Sequence, residues 1–101
     1  MKMTIKVIKR ENGADYLLIG RLDSVTAPEV EELLLQAAVD CKELTLDFKD
    51  LDYISSAGLR VIKKIYVSSS KQGHSFVIKN TKELVMEVFQ MTGFAGILKF
   101  E

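Results

Sequence analysis

Leu44 to Tyr66 reads LTLDFKDLDYISSAGLRVIKKIY, and a change of period within it decides the fold. Leu44-Thr45-Leu46-Asp47-Phe48 alternates apolar and polar residues, the period of a half-buried strand. Asp50-Leu51-Asp52-Tyr53 reads as an acidic loop. Beyond it Leu59, Ile62, Ile65 and Tyr66 form one helical stripe, with Arg60, Lys63 and Lys64 on another face. Four small residues, Ser55, Ser56, Ala57 and Gly58, separate the two periods. A strand passing into a helix is half of a strand-helix-strand unit, and such units favour parallel neighbours joined by right-handed crossovers.

The flanking sequence completes the pattern. Thr4–Lys9 and Tyr16–Ile19 are short β-branched or apolar runs separated by the turn dipeptide Asn12-Gly13, which predicts a hairpin. Val30, Leu33, Leu34, Ala37 and Cys41 recur at helical spacing. Thr26 and Glu29 fit a capping box at the start of that helix, and Pro28 suits its first turn. Gly73 is placed to stop the helix after Ser56, and Ser75–Ile78 reads as a strand. Asn80 with Glu83 can cap a third helix carrying Leu84, Val85, Val88 and Met91, closed by Gly93. Ile97–Phe100 can form a last edge strand. The order β-β-α-β-α-β-α-β predicts one mixed α/β domain, residues 1–101, with helices packed on a single sheet.

Composition narrows the function. The 101 residues carry 14 Lys+Arg and 14 Asp+Glu, so the formal charge is zero. Such a balance supplies no field to gather nucleic acid or an anionic membrane. No apolar run approaches the ~20 residues that span a bilayer, and Met1–Lys6 lacks the apolar block of a signal peptide. Cys41 is the sole cysteine and His74 the sole histidine, too few for a Cys/His zinc site; Cys41 is expected as a helix-end core residue.

Gly58 is costly in a first helical turn, by about 1 kcal/mol relative to Ala. Close packing of the turn on the sheet, or close approach of a partner, would offset that. Ser55 or Ser56 stands at the helix start, where a serine is first of all a cap. The second reading is a phosphate acceptor, since a helix N-terminus favours a negative charge. A hydrolase fits poorly. A nucleophile elbow needs Gly two residues before Ser56, where Ile54 stands, and the only base, His74, is far along the chain. A nucleotide cradle would need several glycines and a lysine, and Gly58 alone is too little.

Three segments in order resemble the STAS domain of bacterial anti-sigma factor antagonists. Gly20–Pro28 is similar to the family's G-x-L-D-x-x-T-A segment, Tyr53–Leu59 to its D-S-x-G-L phosphoacceptor turn, and Thr92-Gly93-Phe94 to its T-G-[LF]. The resemblance implies a regulator and not an enzyme, cytoplasmic, monomeric when free and needing no cofactor. Its unphosphorylated form would bind an anti-sigma factor that is also a serine kinase, freeing a sigma factor. Phosphorylation would release it, and a phosphatase would reverse the step. The resemblance makes Ser56 the acceptor, with Ser55 as alternative because it replaces the family's usual Asp. It groups Asp23, Ser24, Thr26, Ser55, Ser56, Ala57, Gly58 and Leu59 as the partner surface; Arg60 and Lys63, on the basic helix face, read first as solvated residues and second as a patch that meets acidic residues of the kinase. STAS modules also serve lipid- or anion-transport complexes and stress-sensing assemblies, which is the alternative role.

Overall fold

The strand expected at Tyr16–Ile19 runs from Gly13 to Leu22 as β2, and it serves two partners in succession. The computed structural model describes residues 3–101, so Met1 and Lys2 of the N-terminal reading lie outside it. Along Gly13–Leu17, β2 pairs in parallel with β3, Glu43–Asp47. At Gly20 the backbone takes φ 118°, a region open mainly to glycine, and the register shifts. Beyond that bulge Gly20–Leu22 pairs in parallel with β4, Leu51–Ile54, and Gly20 N–H donates to Asp50 O at 3.0 Å. The segment expected as an acidic loop is therefore a strand. Leu51 and Ile54 are the buried residues of its four, a spacing that carries no period of two, so only the tertiary pairing with β2 reveals it.

On the other side of β2, β1 (Thr4–Lys9) pairs antiparallel. Beyond β3 come β5 (Ser75–Lys79) and the two-residue β6 (Lys99–Phe100), both parallel. The order is thus β-β-α-β-β-α-β-α-β, the expected class with one strand more. The hairpin glycine acts by contact and not by turn conformation, because neither Asn12 nor Gly13 has positive φ. A Cβ on Gly13 would lie 1.8 Å from the Glu43 carbonyl oxygen.

The register sorts the sheet into two faces. Tyr16, Leu46, Ile78 and Phe100 fall on one line, and Ala14, Leu44 and Phe76 on the next. All of these but Ala14 join one core with Val30, Leu34, Ala37 and Ala38 of helix α1 (Ala27–Asp40), Leu59, Val61, Ile62 and Ile65 of α2 (Ser56–Gln72), and Val85 and Phe89 of α3 (Glu83–Met91). Each fully buried Leu, Ile or Phe contributes roughly 1.5–3 kcal/mol. The other face is mixed, with Leu17 and Val77 among charged residues: Asp15 meets Lys79 Nζ at 3.1 Å and Arg10 Nε at 3.0 Å.

Two expected caps are replaced. Thr26 makes no capping bond from its side chain, and the capping box with Glu29 does not form. Asp23 does that work one turn earlier. Its Oδ1 accepts from Val25 N–H at 3.0 Å and Thr26 N–H at 3.1 Å, and its carbonyl accepts from Ala27 N–H at 2.8 Å. Asn80 does not cap α3 either. It adopts φ 59° and its Nδ2 donates to Asp47 Oδ1 at 3.1 Å, tying the ends of β5 and β3 together. The stripe of α3 is also turned from the expected one. Leu84 and Met91 are exposed, because Phe89 is drawn between Phe48 (6.4 Å) and Phe100 (5.2 Å). Gly73 and Gly93 stop their helices in the left-handed region at φ 72° and 82°, as the sequence implied. Cys41 ends α1 half-buried, and burial, then the neighbouring Asp40 charge, pushes its thiol up, away from the reactive thiolate.

Candidate functional site

The parallel register that pairs Leu22 with Ile54 also aligns the residues that come after them. Asp23 leaves β2 and Ser55 leaves β4 side by side, so two loops distant in sequence share one corner of the molecule. Ser55 N–H donates to Leu22 O at 2.9 Å and locks the loops together. The corner then turns into α2, and Gly58 makes the turn fit. A Cβ there would sit 2.7 Å from Leu22 O and 2.8 Å from Ile54 Cγ1. Of the two ways of offsetting a glycine at this position, packing against the sheet is the one used.

This contact has a measurable consequence. On helix propensity alone, Gly58→Ala would gain about 1 kcal/mol. Because the obstructing atom is backbone, overpacking prevails, and we expect a net loss of about 2 kcal/mol, or roughly 8–16 °C in Tm. A thermal melt followed by circular dichroism checks it. A Tm at or above the parent's would mean that the turn accommodates a methyl group.

The adjacent serines have different surroundings. Ser55 is the N-cap, with extended backbone (φ −103°, ψ 178°), and its Oγ accepts from Gly58 N–H at 3.4 Å. It is half-buried. Ser56, the first residue of α2, is exposed, and its hydroxyl makes no hydrogen bond among the described residues. The unpaired amides of the first helical turn lie beneath it, at the positive end of the helix dipole.

The remaining residues of the expected surface divide in two. Ser24, Arg60 and Lys63 are exposed, Asp23 is partly exposed and Ala57 is half-buried. Thr26, Gly58 and Leu59 lie in the interior. Thr26 Oγ1 donates to Arg21 O at 2.7 Å and accepts from Asp23 N–H at 2.9 Å, so it shapes the loop from inside. Hydrogen bonds from the Thr26 and Val25 amides hold the Asp23 carboxyl below the usual carboxylate range. A depressed folded pKa gives stability that is present above the unfolded pKa and lost as pH falls through the folded one. Asp23 is therefore an anion at neutral pH, fixed beside Ser55.

Three exposed neighbours are not legible as site residues in the sequence. Val25 is 69% exposed at the tip of the Asp23 loop. Arg21 and Tyr53, paired across β2 and β4, stack with the guanidinium 4.2 Å from the ring centroid. Tyr53 reads as loop, and Arg21, which also pairs with Asp23 at 3.7 Å, has no aromatic partner until β4 exists. An apolar Val25 in a polar loop is the only available signal.

His74 cannot serve this corner. It lies past the far end of α2, whose 17 residues span about 25 Å at ~1.5 Å per residue. Its Nδ1 is engaged at 3.1 Å by Ala38 O. Among the described residues no group of three or more His, Cys, Asp or Glu is arranged to hold a metal ion. No helix among them is long and apolar enough to cross a membrane.

The STAS domain family model matches residues 4–101. The chain is 30% identical over 98 residues to the anti-sigma-B factor antagonist of Bacillus subtilis, covering 97% of this chain and 90% of the relative. It is 37% identical over 102 residues to a Bordetella bronchiseptica protein, BtrV, also named for anti-sigma factor antagonism, covering 96% of this chain and 83% of the relative. Its fold is similar to that of the Bacillus cell fate determinant SpoIIAA solved in the phosphorylated form, with a TM-score of 0.73 at 15% identity, covering 98% of this chain and 90% of SpoIIAA. The split strand β2, the Asp23 turn and the serine-led α2 are thus the form that the family's sequence segments take here, and the chain belongs to the STAS domain family.

Proposed function

We propose that this chain is an anti-sigma factor antagonist that acts by partner switching in the cytoplasm and catalyses no reaction itself. Its unphosphorylated corner, made of Asp23, Ser24, Ser55, Ser56, Ala57, Arg60 and Lys63, binds an anti-sigma factor that is also a serine kinase, and so frees a sigma factor. Thr26, Gly58 and Leu59 shape that corner from inside. The kinase moves the γ-phosphoryl group of its own ATP onto Ser56 Oγ: an O–P bond forms, the bond to ADP breaks and the hydroxyl proton leaves. A phosphatase hydrolyses the ester.

The observation that carries this reading is the division of labour between the serines. Ser55 is occupied as the cap, while Ser56 is exposed with a free hydroxyl. A dianion on Ser56 is tolerated by the free protein, because the helix N-terminus beneath favours it. It is not tolerated under a docked partner that must desolvate it. The family and the names of the relatives support the same role. Basic Lys63 projects without an ion pair among the described residues, whereas Lys64 is engaged by Glu31 at 3.2 Å, so Lys63 is the freer of the two to meet an acidic partner.

The test is incubation with the candidate kinase and ATP, followed by site mapping by mass spectrometry. We expect one phosphate, on Ser56, absent from Ser56→Ala and present in Ser55→Ala. A phosphate that persists in Ser56→Ala, or that maps to Ser55, overturns the assignment.

A further inference from the structure

Helix α3 is apolar on two sides. Val85 and Phe89 are buried in the core. Leu84 and Met91 are 71% and 85% exposed, and Val88 between them is half-buried. Positions 84, 88 and 91 are spaced i, i+4 and i+7, so they form one stripe. One apolar stripe is enough to hold a helix on its sheet, and the second has no task inside the chain. It lines a cleft of about 280 Å³ whose other wall includes Asp52 and the partly exposed Tyr53 of β4. A contiguous apolar patch of this kind, rimmed by charge, marks a contact surface.

The cleft is continuous with the corner that carries Ser56. Tyr53 belongs to both. It lines the cleft, and its ring carries the Arg21 guanidinium at 4.2 Å, which in turn reaches Asp23 Oδ2 at 3.7 Å. Tyr53 precedes Ser56 by three residues, a span of at most ~11 Å. A standard interface covers ~800 Å² of each partner, a patch roughly 30 Å across. A partner seated on Ser56 is wide enough to cover the cleft as well.

Charge narrows the occupant. Asp52 and Glu87 line the cleft, and no lysine or arginine does. Lys82 answers Asp52 at 2.5 Å, whereas Glu87 has no ion pair among the described residues. This rim favours a cationic segment and disfavours an anionic membrane. A two-fold dimer through the patch would set its carboxylates against their own copies. Beyond Ser56 the sign is reversed, for α2 carries Arg60, Lys63, Lys64 and Lys71 and no acidic residue.

We propose that the α3–β4 cleft seats an apolar segment of the anti-sigma factor partner, flanked by basic residues, and that it forms one footprint with the Ser56 corner. The cleft anchors the complex and the Ser56 hydroxyl switches it. The inference rests on the partner-switching reading and adds a polarity to it: the partner presents basic groups to α3 and acidic groups to α2, and so docks in one orientation.

The experiment is titration calorimetry of the full chain against the candidate kinase, with ADP in place of ATP so that no phosphoryl transfer occurs. Leu84→Gln and Met91→Gln should each weaken binding about tenfold, the scale of an anchoring interface residue. Glu87→Lys should slow association several-fold at low salt. Both glutamine variants replace exposed side chains and should melt within a few degrees of the parent; they are read separately, so a folding defect in one leaves the other as the test. Ser56→Asp serves as the control on the corner. If Ser56→Asp weakens binding while both glutamine variants bind like the parent, the cleft is not in the footprint and this proposal falls with the partner-switching reading intact. If the glutamine variants lose affinity while Ser56→Asp does not, the reading fails and the single footprint with it. Self-association of the free chain in sedimentation, abolished by Leu84→Gln, would give the cleft to a second copy and overturn the proposal.

Discussion

Ser56→Asp should bind the anti-sigma factor partner roughly 30- to 1,000-fold more weakly than the parent, a loss of about 2–4 kcal/mol, while the protein itself stays as stable or becomes slightly more so. The two effects have opposite signs because they come from different states of one helix end. In the free chain the Ser56 side chain stands in water above the first-turn amides of α2. A carboxylate there interacts favourably with the dipole, by about 0.3–1 kcal/mol. In the complex the same charge must lose its water against a surface shaped for a neutral hydroxyl. Titration calorimetry and a thermal melt on one preparation separate the two. Ser56→Ala, which removes the hydroxyl without adding charge, should keep parental affinity within a few-fold. An aspartate variant that binds like the parent would sink the switching mechanism. One that binds weakly only because its Tm has collapsed would do the same.

Gly13→Ala should be the most destabilising single methyl addition, at about 3 kcal/mol and roughly 12–24 °C in Tm. A Cβ at Gly13 would stand 1.8 Å from Glu43 O and 2.7 Å from Glu43 C, both backbone atoms that no rotamer change can move. The first pair of the β2–β3 ladder would have to open, losing the Glu43 N–H bond to Asn12 O at 3.1 Å. It would also disturb Arg10, whose guanidinium reaches Asp15, Glu43 and Thr45 from the same loop. The damage lies at the pole opposite Ser56. The folded fraction should therefore bind its partner normally, which distinguishes this variant from Gly58→Ala. Chemical denaturation with a parental m-value checks it, and a Tm within a few degrees of the parent would show that the hairpin end opens freely.

Both glycines are visible in the sequence, but with different legibility. Gly58 stands out because it opens a helix, where glycine is unfavourable, and the structure supplies the missing reason in Leu22 and Ile54. Gly13 reads locally as half of a turn dipeptide. Its actual constraint comes from Glu43, thirty positions along the chain, which no local pattern contains. The same distinction explains β4. Its buried residues are spaced as Leu51 and Ile54, and its strand character exists only because Gly20 bends β2 toward it. It explains the caps too. Asp23 and Thr26 both stand out as residues, but that Asp23 holds the turn before α1 while Thr26 bonds inward to Arg21 O depends on the path of β2 into the turn.

From the sequence alone came the helices, the strands other than β4 near their true places, the mixed sheet and the serine-led start of the middle helix. Each of these rests on periodicity or on residues within one turn of one another, so each is written locally. The tertiary structure decided which serine is free. Ser55 and Ser56 are chemically alike, and only the packing of Gly58 under Leu22, with the hydrogen bond from the Ser55 amide to the same carbonyl, turns one hydroxyl inward as a cap and leaves the other in solvent. It also put Arg21 beside Tyr53 and the Asp23 loop beside the start of α2, because a parallel register brings together what the chain keeps about thirty residues apart.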